Sequence, residues 1–181
     1  MRFTHLRQIA FAAILAFAVA LLGLAAQPAS ADTPDVAFTV DQPAVTPGST
    51  VNVTMTLTNN QATDIGFVYQ SIQPTWATSQ RGDLKYTFTS CTSEGASCTG
   101  TGTTGLEVRY TLPLAPGASR TVTLTFQIAA DSGCNGTIAF YSYIYYEYNG
   151  HQSSKDGIYN TPATQVNCAP APQPSSPNTA A

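Results

Sequence analysis

Thr121-Val122-Thr123-Leu124-Thr125-Phe126-Gln127-Ile128 decides the fold, because apolar side chains alternate strictly with hydroxyl- or amide-bearing ones. Successive strand side chains point to opposite faces. This spacing therefore lays Val122, Leu124, Phe126 and Ile128 on one face and the polar residues on the other. Val51, Val53, Met55 and Leu57 alternate in the same way with Asn52, Thr54, Thr56 and Thr58. Weaker versions occupy residues 36–40, 65–72, 84–91, 106–112, 138–148 and 164–168. Turn chemistry separates the runs: Thr46-Pro47-Gly48, Ala115-Pro116-Gly117, Asn149-Gly150 and Asp156-Gly157, the last expected just before the final strand. No segment after Asp32 carries helical apolar spacing with caps. Seven or eight short antiparallel strands with such turns predict an all-β, immunoglobulin-like sandwich of two sheets.

The two ends differ from this middle. Arg2 and Arg7 precede an uncharged apolar run over residues 9–26, and Gln27-Pro28 breaks it before Ala29-Ser30-Ala31. That layout is a secretory leader, residues 1–31, with cleavage between Ala31 and Asp32. The rival reading is an uncleaved anchor. The run only just reaches the length that spans a bilayer, and Pro28 with the small-residue site favours cleavage. The expected product is secreted and extracellular, with no stable membrane insertion. Residues 169–181 (APAPQPSSPNTAA) have no strand pattern and too little apolar area to offset ordering, and they read as a disordered tail. One domain is left, over residues 32–168. From Asp32 onward ten carboxylates face five lysines and arginines, a net charge of −5. Nothing there supplies the cations that phosphate neutralisation needs, so nucleic acid is excluded as a partner.

All four cysteines, Cys91, Cys98, Cys134 and Cys168, lie after the leader. An even count in a secreted chain reads as two disulfides, and four cysteines allow three pairings. The preferred pairs are Cys91–Cys98, flanking the short loop 92–97 that Gly95 lets turn, and Cys134–Cys168, tying the last strand to the start of the Tyr-rich one. A metal site is disfavoured because the spacings are not C-x-x-C and no His is near. No cofactor is implied.

Three pieces point to a family. Thr46-Pro47-Gly48 leads into a Val/Thr strand ending in Thr58-Asn59-Asn60. Phe88-Thr89-Ser90-Cys91 and Ser97-Cys98-Thr99 follow. Leu114-Ala115-Pro116-Gly117-Ala118-Ser119 then leads into a second Val/Thr strand. Over roughly residues 35–129 the chain resembles the bacterial conserved repeat domains, the domain-of-unknown-function family numbered eleven. The resemblance implies an immunoglobulin-like surface or spacer module with a cysteine pair like Cys91–Cys98. It brings no catalytic residues. Two departures stand out: a single copy, and Ile72-Gln73-Pro74-Thr75-Trp76 where the family has Leu-Pro-x-Gly.

Hydrolases built on a nucleophile and base need an oriented His. After the leader only His151 remains, beside Asn149-Gly150 in an expected hairpin loop, where it reads as a solvated turn residue. No carboxylate pair sits in a glycosidase-like motif, and no enzyme activity is expected. Arg81-Gly82-Asp83 matches an integrin-type tripeptide, a short match for which a bacterial chain lacks the partner. Asp35, Asp131 and Asp156 repeat no known calcium-loop spacing. The unusual stretch is Phe140-Tyr141-Ser142-Tyr143-Ile144-Tyr145-Tyr146-Glu147-Tyr148. Alternation sends Phe140, Ser142, Ile144, Tyr146 and Tyr148 to one face and Tyr141, Tyr143 and Tyr145 to the other, about 7 Å apart. Such a row suits stacking on sugars or on a protein, since Tyr has an apolar body and a polar tip. The competing reading is plain strand packing. Trp76 either extends the row or plugs an end of the sandwich. The expected function is a non-enzymatic binding or adhesive module whose partner is an extracellular protein or a glycan. A carbohydrate-binding module is the alternative and a small-ligand carrier a minor one.

Overall fold

The computed structural model describes residues 35–169, so the leader, the Ala31–Asp32 junction and the tail beyond Ala169 lie outside the described residues. Among the described residues no helix is long and apolar enough to cross a membrane. The strands are β1 (Val36–Val40), β2 (Ala44–Val45), β3 (Thr50–Thr58), β4 (Ile65–Pro74), β5 (Tyr86–Ser93), β6 (Ala96–Thr99), β7 (Leu106–Tyr110), β8 (Ser119–Ile128), β9 (Gly136–Ile138), β10 (Phe140–Tyr148), β11 (Ser153–Asn160) and β12 (Thr164–Val166). One sheet runs β1-β3-β8-β5 and the other β11-β10-β4-β7-β6. A small third sheet, β2-β12-β9, joins a parallel and an antiparallel pair. The architecture is an immunoglobulin-like β-sandwich.

Both strongly alternating runs are central strands, paired from Thr50↔Gln127 to Thr58↔Ser119. Their apolar faces turn inward: Val51, Met55, Leu57, Val122, Leu124, Phe126 and Ile128 are all essentially sealed from solvent. They meet Ile65, Ile72, Val108, Phe140, Ile144 and Tyr146 from the five-stranded sheet. Phe126 and Phe140 pack edge to face with centroids 5.3 Å apart, and Phe88 lies 4.9 Å from Phe140. Each such buried ring is worth about 1.5–3 kcal/mol over leaving it in water. The polar faces satisfy one another. Thr56 and Thr121 hydroxyls lie 3.1 Å apart, Thr58 and Ser119 2.9 Å, and Thr125 donates to Asn52 at 2.8 Å.

Two buried amides specify the packing further. Gln70 on β4 points inward, where its Nε2 donates to Ser142 Oγ at 2.7 Å and its Oε1 accepts from the Tyr110 hydroxyl. Asn59 Nδ2 donates to the Leu114 and Thr63 carbonyls, while Gly117 N–H donates to the Asn59 carbonyl. The expected Leu-Ala-Pro-Gly turn is thus fastened to the end of β3.

Both preferred disulfides are present, Cys91–Cys98 and Cys134–Cys168. Five expectations need correction. The strands number twelve rather than seven or eight, because β2, β6 and β11 bury too little apolar surface to show alternation and the single run 138–148 divides into β9 and β10. The polar loop 92–97 is largely strand: β5 and β6 flank a turn at Glu94-Gly95, where Gly95 has φ 81°. The run 138–148 breaks at Ala139, so Cys134–Cys168 clasps β9 to β12 in the small sheet and not β12 to the Tyr-rich strand. Asp156-Gly157 is no turn but the middle of β11, paired with Tyr145 and Ile144. A one-turn helix, α1 (Trp76–Ser79), also appears where none was expected, capped by Thr75.

Candidate functional site

The Tyr-rich strand β10 lies between β11 and β4, paired with β11 from Tyr141 to Tyr148 and with β4 from Phe140 to Tyr148. Its inward face is Phe140, Ser142, Ile144 and Tyr146, all buried, as alternation requires. Tyr141, Tyr143 and Tyr145 share the outer face and are half-buried. Cross-strand neighbours enlarge the row. A bulge in β4 opposite Glu147/Tyr148 turns Gly66 and Phe67 outward together, and Tyr69 follows. Phe67 packs edge to face on Tyr145 at 6.2 Å, and Tyr69 tilts against Tyr143 at 6.3 Å. On the other side Ile158 of β11 stands opposite Tyr143. Phe67, Tyr69 and Ile158 are 44%, 42% and 66% exposed, so a contiguous apolar surface is open to solvent.

Charges edge this surface. Glu107 and Arg109 project from β7, and between β4 and β7 lies a shallow groove of about 410 Å³ that Phe67, Tyr69, Arg109 and Tyr110 help to line. At the other end the Tyr145 hydroxyl donates to Glu147 Oε1 at 2.9 Å, and His151 Nδ1 lies 2.7 Å from Glu147 Oε2. The hydrogen bonds from His151 and Tyr145 hold the Glu147 carboxyl below the usual carboxylate range. The bond to Glu147 in turn raises the Tyr145 phenol. His151 is a solvated turn residue, as expected, with φ 67° and a side chain 60% exposed, and its ring is tied to this rim through Glu147.

The remaining candidates are placed elsewhere. Trp76 is 77% exposed on α1 and, among the described residues, forms no ring pair with the row. Arg81 and Asp83 close on each other in a bidentate pair at 2.8 Å. The same guanidinium donates to the Cys134 and Asn135 carbonyls, so the tripeptide presents neither charge freely. Asp35 is buried beside Lys155 Nζ at 2.7 Å, and Asp131 pairs with Lys85. Among the described residues no group of three or more His, Cys, Asp or Glu side chains is arranged to hold a metal. Sequence reading missed Phe67, Tyr69 and Ile158. The signal for the first two was present: aromatics two residues apart inside an expected strand.

These features define a rigid immunoglobulin-like sandwich with one aromatic outer face. No family model matches the chain, and no curated protein matches it. Solved structures do resemble it. The sixth cohesin of scaffoldin B from Acetivibrio cellulolyticus, in complex with a Cel5 dockerin mutant, is similar over 74% of this chain and 100% of its own, at 11% identity and a TM-score of 0.53. A cohesin module of a family 33 glycoside hydrolase from Clostridium perfringens covers 75% and 97%, at 10% identity and 0.53. BcpA, the major pilin subunit of Bacillus cereus, matches 75% of this chain over 40% of its own length, at 6% identity and 0.53. At such identities the likeness speaks for the fold alone.

Proposed function

We propose that this chain is a secreted, non-enzymatic binding module that docks an extracellular protein on the outer face of its five-stranded sheet. The carrying observation is the difference between its two outer faces. On the β3–β8 face the threonines hydrogen-bond one another, so strand formation here is met without aromatics. On the β4–β10 face the same structural need is met by Phe67, Tyr69, Tyr141, Tyr143 and Tyr145. Aromatic strand formers are ordinary, but a contiguous aromatic patch on only one face marks an interaction surface. The three strands β4, β10 and β11, at about 4.8 Å spacing and about nine residues of length, give a patch on the order of 400 Å², the size of an exposed apolar patch that marks a binding site and about half of one partner's share of a standard protein interface. The cohesin neighbour solved with a dockerin supports a protein partner for such a scaffold.

A glycan is the second reading, favoured by the exposed tyrosines. Against it, the cross-strand neighbours in the patch are not coplanar: Phe67 and Tyr145 are inclined at 64°, Tyr69 and Tyr143 at 56°. Sugar stacking along a polysaccharide calls for rings that share a plane, whereas a protein surface accommodates inclined ones. Photo-crosslinkers placed at Tyr143 and, on the opposite face, at Thr123 test the proposal on whole secreting cultures. A protein adduct from position 143 and none from 123 is expected. Equal adducts from both faces, or robust hydrolysis of a polysaccharide or peptide by the purified domain, overturn it. Retention on chitin, cellulose or peptidoglycan that is lost in a Tyr141→Thr/Tyr143→Thr/Tyr145→Thr variant assigns the face to glycan instead.

A further inference from the structure

We infer that Asn149-Gly150, at the tip of the β10–β11 hairpin, is a self-modification site that converts to isoaspartate in the folded protein. Asn135-Gly136, the other Asn-Gly pair in the sequence, is held against the same reaction. The chemistry needs no partner but water. The Gly150 amide nitrogen attacks Asn149 Cγ. The Cγ–Nδ2 bond breaks, and ammonia leaves with the proton of the attacking N–H, closing a succinimide ring. Water then opens the ring, at Cγ to give aspartate or at the main-chain carbonyl to give isoaspartate. Glycine lets the nitrogen approach, because it has no Cβ to hinder it. Base promotes the step by taking the N–H proton.

Both asparagines are exposed, but their surroundings differ. Gly150 is exposed too, and nothing stands within 4 Å of where a Cβ on it would be. Among the described residues its N–H has no hydrogen-bond partner. Asn149, Gly150 and His151 have φ of 54°, 62° and 67° in succession. For the two non-glycine residues that backbone is strained, so opening the tip relieves strain. Asn135-Gly136 is shut in. Gly136 is buried as the first residue of β9, in register with Val166 of β12. Arg81 donates to the Asn135 carbonyl at 3.2 Å and to the Cys134 carbonyl at 3.1 Å, which fixes the peptide groups on both sides of Asn135. The disulfide to Cys168 ties down the preceding residue. Bringing nitrogen onto Cγ there means unpairing β9 from β12. At the hairpin tip it means opening one loop, the least costly local motion.

The product reaches beyond the tip. Isoaspartate places one more carbon in the main chain and adds a carboxylate. His151, two residues on, packs its ring on Gly66, with Nε2 3.1 Å from where a Cβ would stand, and its Nδ1 lies 2.7 Å from Glu147. Gly66 belongs to the bulge that turns Phe67 outward. A lengthened tip no longer carries His151 to both contacts, so conversion loosens one end of the aromatic face. Only the functional weight of that end rests on the docking role proposed for the face.

The purified protein, disulfides intact, is incubated for weeks at neutral to mildly alkaline pH, then reduced and digested with trypsin. Residues Thr121 to Lys155 form one tryptic peptide that contains both asparagines, so its fragment ions report both conversions together. Conversion at Asn149 is expected to exceed that at Asn135 by at least about tenfold. In the reduced chain held unfolded in urea the two are expected to approach parity. Asn149→Gly keeps positive φ accessible and is expected to fold and to show no conversion at that position. Amide hydrogen exchange at Gly66 and Phe67 is expected to quicken in the aged protein and not in the aged variant. Absent conversion at Asn149, equal conversion at both sites of the folded protein, or a bias that persists unfolded overturns the inference. Unchanged exchange at Gly66 and Phe67 in fully converted protein overturns the coupling to the aromatic face, whether or not that face docks a partner.

Discussion

Asp35 Oδ2 lies 2.7 Å from Lys155 Nζ and so couples the start of β1, at the edge of one sheet, to β11, at the edge of the other. Asn60 Nδ2 and the Tyr146 hydroxyl donate to the same carboxylate, at 3.0 and 2.9 Å. On the opposite flank Cys91–Cys98 joins β5 to β6, again one edge strand from each sheet. The sandwich is therefore latched along both sides, once by charge and once by covalent bond.

Burial pushes the Asp35 carboxyl up, but the hydrogen bonds from Lys155, Asn60 and Tyr146 together outweigh it and hold the group below its ordinary value. A lowered folded pKa gives stability that is full above the unfolded value, near 4, and lost as pH falls through the folded one. Lys155→Met is expected to cost about 1–3 kcal/mol at neutral pH, discounted because the lysine is half exposed. In the variant desolvation prevails, the folded pKa rises, and the deficit shrinks as pH drops below about 4. Urea melts of both proteins across that range check this; a deficit constant with pH refutes it.

The two disulfides enclose loops of different length, with sequence separations of 34 for Cys134–Cys168 and 7 for Cys91–Cys98. Loop-closure entropy then assigns about 4 kcal/mol to the first and about 2.5 kcal/mol to the second. Paired Cys→Ser variants compared by chemical denaturation should show the larger loss for Cys134/Cys168. The reverse order would mean that joining the two sheets outweighs loop length.

Burial raises the Tyr86 phenol to about 12 and takes Tyr110 and Tyr146 higher still. A raised folded pKa contributes stability that is whole below the unfolded value, near 10, and lost as pH climbs toward 12. Ultraviolet titration is expected to show these three phenols still protonated at pH near 11, ionising only with alkaline unfolding. Full, reversible tyrosine ionisation of the native fold by then would contradict the burial described above.

Replacing Tyr69, Tyr143 and Tyr145 together by Thr exchanges the outer surface for the chemistry of the opposite face. Cross-strand aromatic pairs are worth about 0.2–1 kcal/mol each, so thermal stability should fall by about 1–2 kcal/mol with the fold intact. Adduct formation from the face is expected to disappear. A variant that binds undiminished would remove the face from the function. By contrast, Phe126→Ala should cost about 3–5 kcal/mol.

Legibility in the sequence followed burial. The central strands β3 and β8 have one face dry and one wet, and their residues alternate accordingly, so they could be read directly. β11 could not. It is an edge strand with Lys155, Asp156 and Gly157 at its middle, residues that keep an edge from pairing further rather than fill a core. The outward Tyr141, Tyr143 and Tyr145 followed from period two alone. That Phe67 and Tyr69 join them depends on which strand pairs with β10 and on the bulge at Gly66, facts of register that local sequence does not carry. Gln70 hid the alternation of β4, because a buried amide reads as polar even where Ser142 and Tyr110 satisfy it. The helix at Trp76 is one turn, too short for periodicity, and only Thr75 with Thr78 marks it.

The Cys134–Cys168 bond has a mechanical consequence. Residues 135–167 form a closed covalent ring, and β10 and β11 lie inside it. Tension applied to the chain beyond Cys168 passes through the sulfurs to Cys134 and bypasses everything between. Under load the tyrosine-bearing strand would keep its contour length while the segments before Cys134, β4 with Phe67 and Tyr69 among them, were drawn out.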